Sequence, residues 1–331
     1  MILQIRDLSI SIRGQEIVTI DCLDLAAGQR LGVVGESGSG KTMAAMSIAG
    51  LAPGVVDVKG SIRLNGQETI DMTDRQLAAS RRGLVGVIFQ DPQRALNPMM
   101  RVGRQVAEAI RLHRRQSRAH IRARVLELLE QVQLPDPQKL MRRYPHQLSG
   151  GQRQRVMIAI AIACRPKLLI ADEPTTALDA TVQKEILELI NDLSVQHNMG
   201  LLFVSHDLGV VRAVSEYMAV LYGGRLMEMG PIGHVLERSR HRYTEALIAS
   251  NPGRVCVGTS EIGLGRRFIP IEGNVPSPGA FPQGCRFRGR CRHELPACVE
   301  EPRLTLLEDG HAFRCWNPTI MREAESHGSA C

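Results

Sequence analysis

Apolar residues of the first 34 positions alternate with polar ones: Leu8, Ile10 and Ile12, then Ile17 and Ile20, then Leu23 and Leu25. A period of two marks half-buried strands, so an antiparallel sheet is expected here, leading into a short apolar strand at residues 30–34. Residues 43–51 can follow as a helix. Residues 60–66 form a further short strand closed by an Asn-Gly turn. Residues 84–89 are an apolar run bounded by polar residues, a core strand that delivers Gln90 at its end. From about Asp91 to Leu148 the pattern turns helical. Ile121, Val125, Leu128, Leu129 and Val132 recur at helical spacing and predict one face of an amphipathic helix. A second helical stretch covers residues 154–164. After it come a buried strand at 168–173, a helix marked by Val182, Ile186, Leu189, Ile190 and Leu193, and a buried strand at 201–205 ending in His206-Asp207. Strands alternating with helices predict an α/β protein with a parallel, doubly wound core.

Ligands of such sheets sit at the carboxyl ends of the strands, where Gly35, Gln90, Asp172, Glu173 and His206 all fall. The first of these opens Gly35-Glu36-Ser37-Gly38-Ser39-Gly40-Lys41-Thr42, followed by Met43, which has the form G-x-x-x-x-G-K-[ST]. Strand before and helix after are the context in which this spacing cradles a polyphosphate. Backbone N–H groups close around the anion, and the helix start adds its positive end. Lys41 would reach the β- and γ-phosphates and the Thr42 hydroxyl would bind Mg²⁺. The bland alternative, a glycine-rich turn with no ligand, has the whole strand–loop–helix pattern against it.

Bulk properties narrow the class. At 331 residues the chain accommodates one large domain and a smaller one. The 44% hydrophobic and 23% charged content are those of a globular protein. A formal charge of +7 points to contact with something acidic: nucleotide, anionic lipid or nucleic acid. The longest apolar run, residues 156–164, is well short of the ~20 residues that span a bilayer. The N-terminus lacks the charge-then-apolar order of a signal peptide, so a cytosolic protein with unpaired cysteines is expected. Residues 111–124 hold six arginines, two histidines and no acid; a solvated helix face and a patch near anionic head groups are both open. No aromatics interleave to stack on single-stranded nucleic acid.

Leu148-Ser149-Gly150-Gly151-Gln152 followed shortly by Asp172-Glu173 extends the P-loop pattern, and over about residues 1–235 the chain resembles an ABC-type ATPase. The resemblance implies a RecA-like core with an antiparallel β subdomain and a helical subdomain at about 91–155. It implies ATP and Mg²⁺ as ligands and assigns roles by position. Asp172 resembles the Walker B aspartate, and Glu173 the general base that polarises the attacking water. Gln90 resembles the Q-loop glutamine and His206 the switch histidine. Asp179 resembles the D-loop aspartate that faces a second subunit. Ser149, Gly150, Gly151 and Gln152 resemble the signature that caps the ATP of the opposite subunit, so a dimer is implied. One departure stands out: the family's adenine-stacking aromatic is missing from residues 1–34, where Ile12 and Arg13 occupy its neighbourhood.

Residues 236–331 are rich in Gly, Pro and Arg and poor in long apolar runs, so a small loop-rich domain is expected. Residues 243–247 and 269–276, and Arg94-Ala95-Leu96-Asn97-Pro98 within the cassette, are similar to oligopeptide/dipeptide importer ATPases. Cys285, Cys291, Cys298 and Cys315 follow as C-x5-C-x6-C-x16-C. Four thiols in a core-poor cytosolic segment point to a metal, though none of the spacings is the tight C-x2-C of common zinc sites. Some members of this subfamily carry a 4Fe–4S cluster on similar cysteines, which the resemblance extends to these four; zinc and unligated thiols stay open. Cys22 and Cys164 are expected in the core.

The resemblance implies an ATP-hydrolysing subunit of a peptide importer, peripheral on the cytoplasmic face of the inner membrane. Its partners would be two transmembrane permease subunits, a second and related ABC ATPase subunit and, indirectly, an extracytoplasmic solute-binding protein, with no nucleic acid. A nickel or other small-solute importer is the alternative. A soluble ABC ATPase acting on nucleic acid or ribosomes, and a C-terminal domain that senses redox state or iron, are further readings.

Overall fold

The computed structural model describes residues 1–113, 117–176, 178–250 and 270–319. Arg114, Arg115, Ala177, Cys256, Ile269 and Cys331 lie outside the described residues.

The alternating N-terminal pattern forms β1 (Leu3–Ile12) and β2 (Gln15–Leu25), an antiparallel hairpin turned at Arg13-Gly14, both at positive φ. Then come β3 (Arg30–Val34), α1 (Lys41–Ile48), β4 (Val56–Leu64) and β5 (Gln67–Glu68), with the expected Asn65-Gly66 turn between the last two. α2 (Asp74–Arg81) precedes β6 (Val85–Ile88). The helical region comprises α3 (Pro92–Ala95), α4 (Val102–His113), α5 (Arg118–Gln131), α6 (Pro137–Leu140) and α7 (Gly150–Ile162). Thereafter β7 (Leu168–Asp172), α8 (Ala180–Gln196), β8 (Gly200–Val204), α9 (Leu208–Val214), β9 (Tyr217–Tyr222) and β10 (Arg225–Pro231) complete the alternation. α10 (Ile232–Glu237), α11 (Arg242–Ala249) and a terminal hairpin of β11 (Thr305–Leu306) and β12 (Ala312–Phe313) follow.

All twelve described strands share one sheet in the order β5-β4-β1-β2-β10-β9-β3-β8-β7-β6, with β12 added to β10 and β11 to β12. Strands β9, β3, β8, β7 and β6 run parallel, and the outer strands β5, β4, β1 and β2 pair antiparallel. Leu169, Ala171, Leu201 and Phe203 join the apolar cluster of α4, α5, α7 and α8. Leu168, Ile170, Leu202 and Val204 join the cluster of α1 and the antiparallel strands. Both faces of β7 and β8 are therefore buried, which is why they read as unbroken apolar runs.

The α5 stripe is buried as its spacing predicts, from Ile121 at 4% exposure to Val132 at 0%. Arg111, Arg118, His120 and Arg122 are exposed, and Arg124 pairs with Glu127 at 3.0 Å. Two differences have local causes. α7 starts at Gly150, four residues earlier than its apolar pattern, because Ser149 and Gln152 form a capping box. β6 lies at the sheet edge, so the strand is shorter than its apolar run and Phe89 beyond it is 38% exposed. The C-terminal region, loop-rich as expected, also contributes β12 to the main sheet, pairing Glu228 with Phe313 and Met229 with Ala312.

Candidate nucleotide site

Between β3 and α1 the chain follows a glycine loop whose last residue, Gly40, is the N-cap of α1 at φ 86°. A Cβ there would also stand 2.4 Å from Val18 Cγ2, so conformation and packing both demand glycine. Lys41 is buried, and its ammonium donates to the carbonyls of Gly35 (2.8 Å) and Glu36 (3.0 Å) and to Ser39 Oγ (3.3 Å). Burial lowers its pKa from the ordinary lysine value, against the pull of Glu173, Asp172 and Glu36. A desolvated cation held mainly by neutral carbonyls is suited to receive an anion. Ser37 is exposed in the loop, whereas Met43 packs against the core beneath α1.

Two carboxylates close the site from the end of β7. Asp172 is 2% exposed, and its Oδ1 accepts from the Thr42 hydroxyl at 3.1 Å. Burial raises its carboxyl pKa, with the Thr42 hydrogen bond opposing. Glu173 takes φ 44°, a left-handed conformation uncommon outside glycine, anchored by its N–H donating to Val204 O at 2.9 Å. Its Oε2 gathers three groups from three segments: Gln90 Nε2 at 3.2 Å, Thr176 Oγ1 at 3.0 Å and His206 Nδ1 at 3.3 Å. Gln90 follows β6, Thr176 lies in the turn after β7, and His206 follows β8. The sheet thus brings the P-loop, Gln90, both carboxylates and His206 to one edge.

Ser149 and its neighbours form a separate element. The Ser149 hydroxyl accepts from Gln152 N–H, and Gln152 Oε1 accepts from Ser149 N–H, each at 3.2 Å. A Cβ on Gly151 would stand 2.7 Å from Val182 Cγ1, so this helix start is pressed against the first turn of α8. Asp179 caps that turn, accepting from Val182 N–H at 3.0 Å. Among the described residues, no hydrogen bond joins the 149–152 segment to the P-loop.

The P-loop has partners that sequence reasoning missed. Arg290 grips the Glu36 carboxylate, and the Tyr243 hydroxyl accepts from Glu36 N–H at 2.9 Å. Thr176, three residues past Glu173, sits close enough in the chain to have been noticed. Arg290 and Tyr243 carry no local signal of this role.

The metal expectation at Cys285, Cys291, Cys298 and Cys315 finds no support in the arrangement of the described residues. The thiols share one neighbourhood: Cys285 N–H donates to Cys298 O at 3.0 Å, and the charges of Cys298 and Cys315 act on both Cys285 and Cys291. Yet no group of three or more His, Cys, Asp and Glu among the described residues is arranged to hold a metal ion. Burial pushes the Cys285 thiol up to about 11 and raises Cys291 and Cys315. Cys22 and Cys164, expected in the core, are half-buried.

A P-loop feeding α1, paired carboxylates ending β7 and a self-capped Ser-Gly-Gly-Gln helix start, all on this mixed sheet, occur together in ATP-hydrolysing cassettes of the ABC type. Comparison with known proteins agrees. Residues 20–176 match the family described as ABC transporter, and residues 227–298 match "Oligopeptide/dipeptide transporter, C-terminal region". The oligopeptide transport ATP-binding protein OppD of Salmonella typhimurium is 39% identical over 322 residues, covering 96% of this chain and 94% of its own length. A probable peptide ABC transporter ATP-binding protein of Sinorhizobium fredii, y4tR, is 41% identical over 323 residues, covering 96% and 95%. Among solved structures, the bacterial ABC transporter cassette MJ0796, a dimer, superimposes with a TM-score of 0.63 at 28% identity, over 70% of this chain and 98% of its own. The chain belongs to the ABC transporter family of ATP-binding proteins.

Proposed function

We propose that this chain is the ATP-hydrolysing subunit of an importer that carries di- or oligopeptides across the cytoplasmic membrane. The ATPase reading is supported above all by the meeting of Gln90, Thr176 and His206 on one oxygen of Glu173, beside the Asp172 that Thr42 engages. The peptide reading is supported by full-length similarity to peptide import ATP-binding proteins.

In this reading Lys41 and the backbone of residues 35–43 bind the triphosphate. Thr42 and Asp172 fit a divalent cation: a hydroxyl and a buried carboxylate in direct contact form an all-oxygen donor set suited to Mg²⁺. That ion would neutralise charge on the β- and γ-phosphates. Glu173 takes the proton of the attacking water as general base, while Gln90 and His206 orient it and meet the γ-phosphate. Ser149, Gly150, Gly151 and Gln152 cap the ATP of a second, related ATPase subunit, and Asp179 faces the same boundary. The functional division runs at about residue 235, with residues 91–155 passing nucleotide-driven motion to two permease subunits. An extracytoplasmic binding protein supplies substrate, and the chain works at the cytoplasmic face of the inner membrane.

Uptake of labelled dipeptides, oligopeptides and nickel in cells with and without this chain tests the reading. Loss of peptide uptake alone is the expected result, and loss of nickel uptake alone would reassign the substrate.

The iron–sulfur assignment of the cysteine quartet is carried here as part of the proposal. It is supported by the convergence of four thiols in one loop-rich module, and Cys₄ ligation suits such a cluster. Iron and acid-labile sulfide in anaerobically purified protein decide it; colourless, iron-free protein after reconstitution ends it.

A further inference from the structure

The P-loop contains an acid, Glu36, beside a site that must accept a polyanion. The loop is also held from outside the cassette, by a residue 254 positions further along the chain. We infer that Arg290 is a positioning residue of the nucleotide site: it neutralises the Glu36 carboxylate and fixes the first turn of the P-loop. This rests on reading that loop as the triphosphate cradle.

Glu36 is constrained at every polar group. Its carboxylate takes two bonds from the guanidinium, Nη1 to Oε2 at 2.7 Å and Nη2 to Oε1 at 3.1 Å. Its N–H donates to Tyr243 Oη at 2.9 Å, and its carbonyl accepts from Lys41 Nζ at 3.0 Å. Arg290 is equally committed. Its Nε donates to Glu272 O and its Nη2 to Gly273 O, both at 2.9 Å, and Nη1 donates to Tyr222 Oη at 3.2 Å. The guanidinium carbon lies 5.6 Å from the Tyr222 ring centroid and 6.0 Å from that of Phe287. Tyr222, Tyr243 and Phe287 pack against one another with centroids 4.6 to 5.3 Å apart.

The pair is therefore unlike a surface ion pair held by two mobile side chains. The Arg290 side chain is 8% exposed and Glu36 26%, and a planar fork meets a carboxylate side-on. An unpaired carboxylate here would repel the incoming phosphates. Paired, it becomes a neutral strut that sets where the Lys41-bound carbonyl lies. Lysine could not replace the fork, because a point charge cannot hold both carboxylate oxygens and two carbonyls at once. The competing explanation is a staple that merely fastens the C-terminal region to the cassette.

Binding of a fluorescent ATP analogue with Mg²⁺ to the full chain, alongside thermal melts, separates the two. R290Q is expected to weaken binding about tenfold, the effect of losing a charge-assisted pair, and less at high salt. E36Q/R290Q should return to within about threefold of wild type, because no carboxylate is left to repel phosphate. A mere staple predicts equal melting losses in both variants and no recovery of affinity. Binding by R290Q within twofold of wild type, or a double variant no better than R290Q, would overturn the inference. Should R290Q not yield folded protein, R290K carries the test: binding weakened about threefold or more supports the fork, and any smaller loss overturns it. Failure of the wild-type chain itself to bind nucleotide would instead overturn the P-loop reading.

Discussion

Thr42 and Asp172, 130 residues apart in the chain, are joined directly: the Thr42 hydroxyl donates to Asp172 Oδ1 at 3.1 Å. The bond ties the first turn of α1 to the end of β7, so the metal-binding pair of the proposed reaction is assembled by the fold itself. Its carboxylate is buried at a cost that burial's upward push on its pKa reports. Because the folded pKa is raised, ionised Asp172 detracts from stability as pH rises through it. Asp172→Asn is therefore expected to leave the nucleotide-free melting temperature unchanged or higher, while hydrolysis falls at least tenfold and needs more Mg²⁺. A lower melting temperature with normal Mg²⁺ dependence would contradict the assignment.

Glu173→Gln keeps the shape of the side chain and an oxygen to accept from Gln90 and Thr176, but cannot take a proton. Phosphate release should drop by roughly 10²–10⁴-fold with nucleotide still bound, the usual span for loss of a general base. Wild-type hydrolysis in this variant would refute the base assignment.

Ser149 has a structural duty apart from its proposed role on a second subunit. Removing the cap in Ser149→Ala should cost about 1 kcal/mol in denaturant melts. It should also abolish ATP-dependent association with the ATPase partner, scored by size-exclusion chromatography. Intact association would confine Ser149 to capping.

His241 gives the protein a definite acid sensitivity. It is 1% exposed, accepts from Tyr243 N–H through Nδ1 at 2.9 Å, and burial with the nearby Arg314 charge brings its pKa from 6.5 to about 3. The folded imidazole stays neutral while the unfolded one takes up a proton below pH 6.5. Stability should thus fall as pH drops from 6.5 toward 3, by at most ~1.4 kcal/mol per pH unit from this residue. His241→Asn, which keeps a polar cap but cannot titrate, should melt with a shallower dependence between pH 6.5 and 5. Parallel curves for the two proteins would exclude His241 as the source.

Legibility followed the range of the interactions. The P-loop, the α5 stripe and the carboxylates ending β7 were readable because turn chemistry, helical spacing and strand burial act within a few residues. The convergence at the sheet edge was readable because strand ends in parallel sheets share an edge. Glu36 looked like one more loop residue, since its partner lies 254 positions away in a segment with no periodicity. β12 was invisible for another reason: two residues cannot display alternation, and their pairing is decided by an edge that β10 leaves open. The cysteine spacing brought the four thiols into one module, but spacing alone does not say what they hold.

The same β12 orders events at the ribosome. β10 gives only Arg225 to β2, and its Glu228 and Met229 pair instead with Phe313 and Ala312. Buried Glu228, which Arg240 and His241 N–H already engage at 2.6 and 2.9 Å, gains its last partner in His311, whose Nε2 lies 2.7 Å from its Oε1. At ~5–20 residues per second, the roughly 80 residues between these partners take several seconds to emerge. Through that interval a nascent cassette holds an open strand edge, which is the kind of surface chaperones bind and other chains adhere to. Translation stalled before residue 311 should therefore yield protease-sensitive chains, and release of the tail should make them resistant.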